Sequence, residues 1–279
     1  MSDTDAGWFR DLDADDPDAA RAAIEAGSAE SPADWPARAV EAGFADDAED
    51  YYERLHDAAT AAAREAVRER ERADDQQLIH AVRALDDLAR TTNELAERLA
   101  EWAGSRDDTG GSGVEYARRV AEREPEDPLD ARVVSLAERV VDLAGEREDL
   151  RAVIESEAPR VAPNLSAIAG PILAARLIAL AGGLEDLAKE PSGTVQVLGA
   201  EDALFAHLQG RAPSPKHGVI YTHEYVKGTR PEDRGSAARA LAGKLSIAAR
   251  VDYYSGERKP EIDAELDARI ETIRARGDA

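Results

Sequence analysis

From Ala48 to Trp102 the chain contains neither glycine nor proline and is built largely from Ala, Glu, Arg, Leu and Asp. Such a run lacks the residues that end a helix and is rich in those that favour one, so it predicts helix over most of its length. Asp74-Asp75 divides it, capping a second helix that runs to Trp102. On that second helix Leu78, Leu85, Leu88, Leu95, Leu99 and Trp102 recur at helical spacing and form a single apolar stripe. A stripe of this kind has to be buried against other helices. No βαβ rhythm appears anywhere else, and the expected class is all-α.

The remaining segments read the same way. Two short helices are expected at Pro17–Ala26 and Trp35–Phe44, separated by Gly27-Ser28 and Ser31-Pro32. Gly104–Gly113 is a loop, and a short helix follows at about Val114–Arg123. Next comes a heptad run: Val133, Val140 and Ile154 share one position, Leu136, Leu143 and Leu150 the other, and Arg147 breaks it. About three heptads is the lower limit for a coiled coil, so two readings stay open. The stripe either pairs two copies of the chain or packs within its own domain. Pro159 and Pro163 are expected to end that helix. Helices are then expected at 166–181, 184–189, 199–209, 236–251 and 262–276, with a β-branched piece at Thr194–Leu198. The organisation expected is a reduced N-terminal segment at 1–48, long helices and coiled coil at 49–160, and a compact helical domain at 161–279.

Cysteine is absent, which removes disulfides and thiolate metal sites. The acidic start MSDTDAGWFRDLDADD has no apolar leader, so cytoplasmic residence is expected. The most apolar stretch, Ile168–Leu184, holds Arg176, Pro171 and a Gly-Gly pair and is expected to be a buried core helix and not a membrane span.

The chain carries 58 acidic and 35 basic residues, for a net charge of −23. That balance argues against nucleic acid, but the acidic residues are spread along most of the chain, as in a surface adapted to high salt. At about 1 M salt the Debye length is roughly 3 Å, so only contact-range charge counts. The segment Arg211–Pro260 holds ten basic and five acidic residues, a local net charge of +5. This asymmetry points to a polyanion-binding patch.

Enzyme chemistry finds little support. There is no phosphate-binding GxxxxGK[ST] loop and no GxGxxG after a strand. Glu53 and His56 have the Glu-x-x-His spacing of a carboxylate-bridged di-iron helix, but that site needs a second copy and two more Glu. Asp86-Asp87 sits on a charged helix and carries no weight as an acid–base pair. No cofactor and no metal site is expected. On composition alone His217 and His223 read either as ordinary loop residues or as groups that meet phosphate and base; their spacing makes a poor metal pair.

Several short runs together resemble the Nop domain of archaeal box C/D guide-RNA proteins, a lineage shared with eukaryotic nucleolar Nop proteins. They are Ala162–Leu165 (APNL), Gly170-Pro171, Arg176–Lys189 (RLIALAGGLEDLAK), Thr194–Phe205 (TVQVLGAEDALF), Pro215–Tyr221 (PKHGVIY) and Arg234–Asp252 (RGSAARALAGKLSIAARVD). The run Leu78–Trp102 is similar to the family's helix before its coiled coil. After Glu101-Trp102 this chain continues AGSRDDTGG where the family has an aromatic and HFPEL, and its first 48 residues are short and strand-poor.

The resemblance implies a non-catalytic scaffold. It implies three partners: a box C/D guide RNA, a small kink-turn-binding protein of ribosomal type, and a fibrillarin-type methyltransferase that modifies a ribose 2′-hydroxyl. A homodimer is implied through Val133, Leu136, Val140, Leu143, Leu150 and Ile154. Lys216, His217 and Gly218 match the family's RNA-facing loop, and Arg234, Arg239 and Lys244 match basic positions of the following helix. Gly199, Ala200 and Glu201 match its GAE helix start near the kink-turn protein and RNA. A helical protein–protein scaffold without RNA contact is the rival reading.

Overall fold

The computed structural model describes residues 7–10, 12, 16–27, 33–106 and 110–275. Ser28, Ser31-Pro32, part of the Gly104–Gly113 loop and Arg276 lie outside the described residues. Fourteen α-helices and no strand are present among them, so the protein is all-α.

The chain divides into two compact units, Met1–Ala73 and Asp74–Ala279. This differs from the three-part division expected at 48 and 160. The reason is packing: helix α3 (Ala48–Arg72) lies on α1 (Pro17–Ala26) and α2 (Trp35–Glu41), and the long helices beyond it pack with the C-terminal ones. In the first unit Phe9, Phe44 and Tyr51 form a small aromatic core with Trp8 and Trp35 at its edge. Asp47 caps α3 by accepting from the Glu49 and Asp50 N–H groups, both at 2.9 Å.

The second unit begins with a helical hairpin. Helix α4 (Asp74–Gly104) and α6 (Pro128–Val161) run antiparallel, because the start of α4 shares a core with the end of α6 and the end of α4 with its start. At the tip α5 (Gly113–Ala121) inserts Tyr116, Ala117 and Val120 against Leu99, Ala103, Val133 and Val140. Of the apolar stripe on α4, Leu78, Leu85 and Leu99 are buried, and Leu88, Leu95 and Trp102 are half-buried.

The heptad stripe of α6 meets its own chain. Val133, Val140 and Ile154 are fully buried inside the unit, and Leu136 and Leu150 pack partly against the same cores. Half of these six are thus covered within the same chain by α4, α5 and the C-terminal helices. Pro159 does not end α6, which continues to Val161. The stop comes at Ala162, whose φ of −143° leaves the helical region before Pro163 opens the next helix.

The apolar stretch breaks into α7 (Pro163–Ala169) and α8 (Pro171–Ala181), bent by 117° at Gly170. Among the described residues no single helix is long and apolar enough to cross a membrane. Leu173, Ala174, Leu177 and Ile178 of α8 are buried in the main core. Arg176 turns outward, its Nε donating to Asp86 of α4 at 3.3 Å, which is how an arginine fits an otherwise apolar helix.

Short helices α9 (Leu184–Lys189), α10 (Ser192–Val197) and α11 (Glu201–Leu208) follow. The β-branched piece at Thr194–Leu198 is thus mostly helix, with Val195 buried in the common core, an instance of packing overriding local propensity. A 3-10 turn at Val219–Thr222 and α12 (Glu224–Lys227) lead to α13 (Arg234–Tyr254) and α14 (Glu261–Ala275). Helix α13 is the axle of this end of the unit: α7, α9, α10, α12 and α14 all pack on it.

Candidate nucleic-acid interface

The end of α13 is tied to the start of α7 by a buried carboxylate. Asp252 accepts from the Asn164 N–H at 2.9 Å, the Leu165 N–H at 2.8 Å and the Asn164 side-chain amide at 2.6 Å. Ala162 offers α7 no side-chain cap, so Asp252, distant in sequence, serves as one. Asn164 in turn donates to the Glu257 carbonyl and accepts from the Arg258 side chain and the Lys259 N–H. Burial raises the Asp252 pKa, while the three donated hydrogen bonds pull it down.

At the other end of α13 the loop before it is fastened to α10. The Gly218 N–H donates to the Gln196 carbonyl at 2.9 Å, the Val219 N–H to the Leu198 carbonyl at 2.7 Å, and the Gln196 amide to the Lys216 carbonyl at 2.7 Å. A Cβ on Gly218 would lie 1.9 Å from the Leu198 carbonyl oxygen, so no other residue fits there without moving backbone. Gly199 sits at φ +78°, its N–H donating to the Glu201 carboxylate at 2.7 Å, and its Cα faces Val219. The two segments singled out in the sequence, Gly199–Glu201 and Lys216–Gly218, are therefore neighbours.

Above this frame the side chains form a stack. The His217 ring lies on Tyr221 with centroids 4.5 Å apart and planes 24° apart, and the Arg234 guanidinium stands 5.5 Å from the Tyr221 ring. Arg234 is steadied by donating to the Thr229 carbonyl at 3.0 Å. The Lys216 stem passes 3.9 Å from where a Cβ on Gly235 would stand, so its exposed ammonium lies beside the first turn of α13. Partial burial, then the Arg234 and Lys216 charges, lower the His217 pKa, so the ring is neutral at pH 7. Tyr221, four residues after His217, joins the stack although its position in the sequence alone does not mark it.

The other predicted cations part company. Arg239 is exposed and Lys244 pairs with Glu265 of α14; both line a shallow groove between α13 and α14. Arg250 is turned inward, donating to the Ala188 and Glu190 carbonyls at 3.0 and 3.2 Å and closing the end of α9. Arg258 belongs to the Asn164 network. So the local excess of positive charge divides into an exposed group (Arg211, Lys216, Lys227, Arg239) that makes no ion pair among the described residues, and others, such as Arg250 and Arg258, that hold the fold.

His223 is structural. Its Nδ1 accepts from the Tyr225 N–H at 3.1 Å, capping α12, and its Nε2 lies 2.9 Å from the Ile168 carbonyl. Only the neutral ring with the proton on Nε2 satisfies both, in keeping with a pKa lowered by burial. No group of three or more His, Asp or Glu side chains able to hold a metal occurs among the described residues. Asp86 and Asp87 pair with Arg176 and Arg90.

Helix α11 has no buried residue, and Phe205 and Leu208 on it are 61% and 71% exposed. It begins at Glu201 beside the Lys216–Gly218 loop, so a bare apolar surface adjoins the cationic one.

The Nop family model, described as snoRNA binding domain, fibrillarin, matches residues 112–274. The chain belongs to the Nop family. A NOP5 family protein of Methanocaldococcus jannaschii is 36% identical over 260 residues, covering 80% of this chain and 63% of that protein. Nucleolar protein 58 of Candida albicans is 34% identical over 233 residues, 70% of this chain and 45% of that one. Nucleolar protein 58 of Schizosaccharomyces pombe is 32% identical over 234 residues, again 70% of this chain and 46% of that one. The chain thus spans between about half and two thirds of the length of these relatives. Among solved structures, a chain of a fibrillarin/Nop5p complex is similar with a TM-score of 0.54 and 26% identity, covering 96% of this chain and 99% of that one. The matched region of the Nop family includes the Asn164–Asp252 latch, the GAE turn, the Lys216–Gly218 loop and α13.

Proposed function

We propose that this Nop protein is a non-catalytic RNA-binding scaffold of a box C/D guide-RNA particle. The observation that carries the reading is the half-buried stack of His217, Tyr221 and Arg234 beside the exposed Lys216, mounted on a backbone frame fastened to α10. Phosphate contacts need cations at contact range, and splayed RNA bases need flat faces on which to stack. Lys216 and Arg239 supply the first, and the His217–Tyr221 stack supplies the second. A neutral His217 can donate to phosphate from one ring nitrogen, and a bound phosphate would favour its protonated form.

The small kink-turn protein would rest on the bare face of α11, next to Gly199–Glu201, because Phe205 and Leu208 there lack any cover within the described residues. The methyltransferase would dock through residues 1–73; the likeness over nearly the whole chain to a protein crystallised in a fibrillarin/Nop5p complex supports this. Self-association would use the outer face of α6, where Leu143 is half-buried and Leu129 and Val153 are 59% and 50% exposed. Val133, Val140 and Ile154 have no part in it, being buried by their own chain.

A gel shift at molar salt with a kink-turn RNA, with and without its kink-turn protein, tests the reading. Lys216→Glu reverses a charge at contact range and should weaken the shifted complex at least tenfold, about 1.4 kcal/mol, while the helical signal stays intact. A shift that Lys216→Glu leaves unchanged removes the site assignment. No shift by the unaltered protein favours the protein–protein scaffold instead. For self-association, light scattering should give twice the chain mass, and Leu143→Asp should return it to that of a single chain.

A further inference from the structure

Beyond the loop and stack already described, Arg239 shares a groove with two further cations, one of them paired. The groove between α13 and α14 is lined by Arg239, Gly243, Lys244 and Ile247 from the first helix and by Leu266 and Arg269 from the second. Arg269 falls beyond the basic segment of the sequence, and only the packing of α14 on α13 brings it to Arg239.

We propose that this groove is a second phosphate-binding point for RNA, and that Arg239 and Arg269 together grip the phosphate. The proposal rests on the RNA-binding reading above. Arg239 and Arg269 make no ion pair among the described residues, in a chain where 58 carboxylates compete for 35 cations. Two exposed guanidinium groups facing one groove repel each other, and an anion between them removes that repulsion. A phosphate oxygen pair matches the planar fork of arginine better than a point charge does.

The groove suits a nucleic-acid strand in two further respects. A Cβ on Gly243 would meet nothing within 4 Å, so the α13 backbone is open there to close approach. Ile247 is 40% exposed and Leu266 buried, giving the floor an apolar strip against which a ribose and the arginine stems can rest. Position matters as well. Gly235, Arg239 and Gly243 succeed one another at four-residue spacing on one face of α13, about 6 Å per step. The Lys216 side chain reaches the first of these positions, so a strand held by Lys216 and continuing along this face arrives at Arg239 and then Arg269.

No carboxylate lines the groove among the described residues, but Glu265 of α14 reaches one of its cations. Glu265 holds Lys244, which leaves that lysine neutralised in the free protein while the two arginines stay available. Glu265→Gln therefore frees a third cation.

The full chain would be titrated with a kink-turn RNA carrying its kink-turn protein, over a range of salt concentrations. Losing one phosphate contact lowers the slope of log affinity against log salt by about 1. Arg269→Ala should lower it by that amount, weaken binding to all sequences alike, and leave the melting temperature unchanged. Arg132→Ala, an exposed unpaired arginine on the hairpin, should leave the slope as it was. Glu265→Gln should strengthen binding severalfold and steepen the slope. If Arg269→Ala and Glu265→Gln both keep the original slope while Lys216→Glu weakens binding at least tenfold, the groove proposal falls and the RNA-binding reading stands. If the unaltered chain binds no RNA under any of these conditions, both fall.

Discussion

Two parts of the family pattern hold similar polar residues in opposite surroundings. In Asn164 and Asp252 every hydrogen-bonding atom is turned inward and answered, and the pair joins α7, α13 and the turn at Glu257–Lys259 into one body. In Lys216, His217 and Arg234 the backbone is answered but the side chains face outward, stacked and in part unpaired. A buried polar group that is hydrogen-bonded fixes structure, and an exposed cation left without a carboxylate in so acidic a chain is available to a ligand. The arginines show the same division on a smaller scale. Arg250 closes a helix end, and Arg239, on the same helix, closes nothing.

The contrast predicts that changes in the two regions separate stability from binding. The largest effect is expected from Asp252→Ala, which strands two backbone N–H groups and the Asn164 amide in the core. At about 1–3 kcal/mol for each unsatisfied group, partly relieved by water, the loss should be about 3–5 kcal/mol in denaturant unfolding. RNA affinity measured where the variant remains folded should be nearly unchanged. A parallel loss of affinity and stability would break the division.

Gly218→Ala comes next and straddles the two regions. Its Cβ collides with the Leu198 carbonyl, so the loop must lift from α10, at about 1–3 kcal/mol of stability. Because the same loop carries Lys216 and His217, affinity should fall as well. Lys216→Glu, by contrast, should change stability by less than about 0.5 kcal/mol while weakening binding at least tenfold.

The smallest effect is in pH dependence, and it sets His223 against Asp252. His223 has a folded pKa below its ordinary 6.5, so its neutral form stabilises the fold. That contribution is whole above pH 6.5 and is lost as pH falls through the lowered value. Stability should therefore drop as pH falls below 6.5, and less so in His223→Gln. Asp252, whose pKa is raised, works in the opposite direction: its contribution is present below 3.8 and lost as pH rises through the folded value. Acidification should weaken the protein through His223 and strengthen it through Asp252.

Much of the fold is legible from local patterning. The stripe on α4, the breaks at Gly104 and Pro163, and the helices at the C-terminal end follow from spacing and from glycine and proline. Pro159 misleads because a proline two residues from the end of α6 forfeits a single bond, the one its missing N–H would give the Glu155 carbonyl, and the helix needs to run only to Val161 beyond it. The β-branched Thr194–Leu198 misleads because burial of Val195 outweighs a propensity difference of less than about 1 kcal/mol.

The amino-acid sequence by itself determined that the chain is helical, where its long helices lie, that Lys216–Gly218 and the start of α13 are the cationic end, and that the pattern is that of a Nop protein. All of these are properties of neighbours in the chain: helical period, punctuation and local charge. Only the tertiary structure decided which side of α6 is closed, that Asp252 caps a helix 88 residues away, and that Tyr221 lies between His217 and Arg234. It alone set Arg269 beside Arg239 and drew Arg250 out of the exposed set. The reason is that an ion's role depends on what lies within about 4 Å of it, and those neighbours come mostly from segments remote in the sequence.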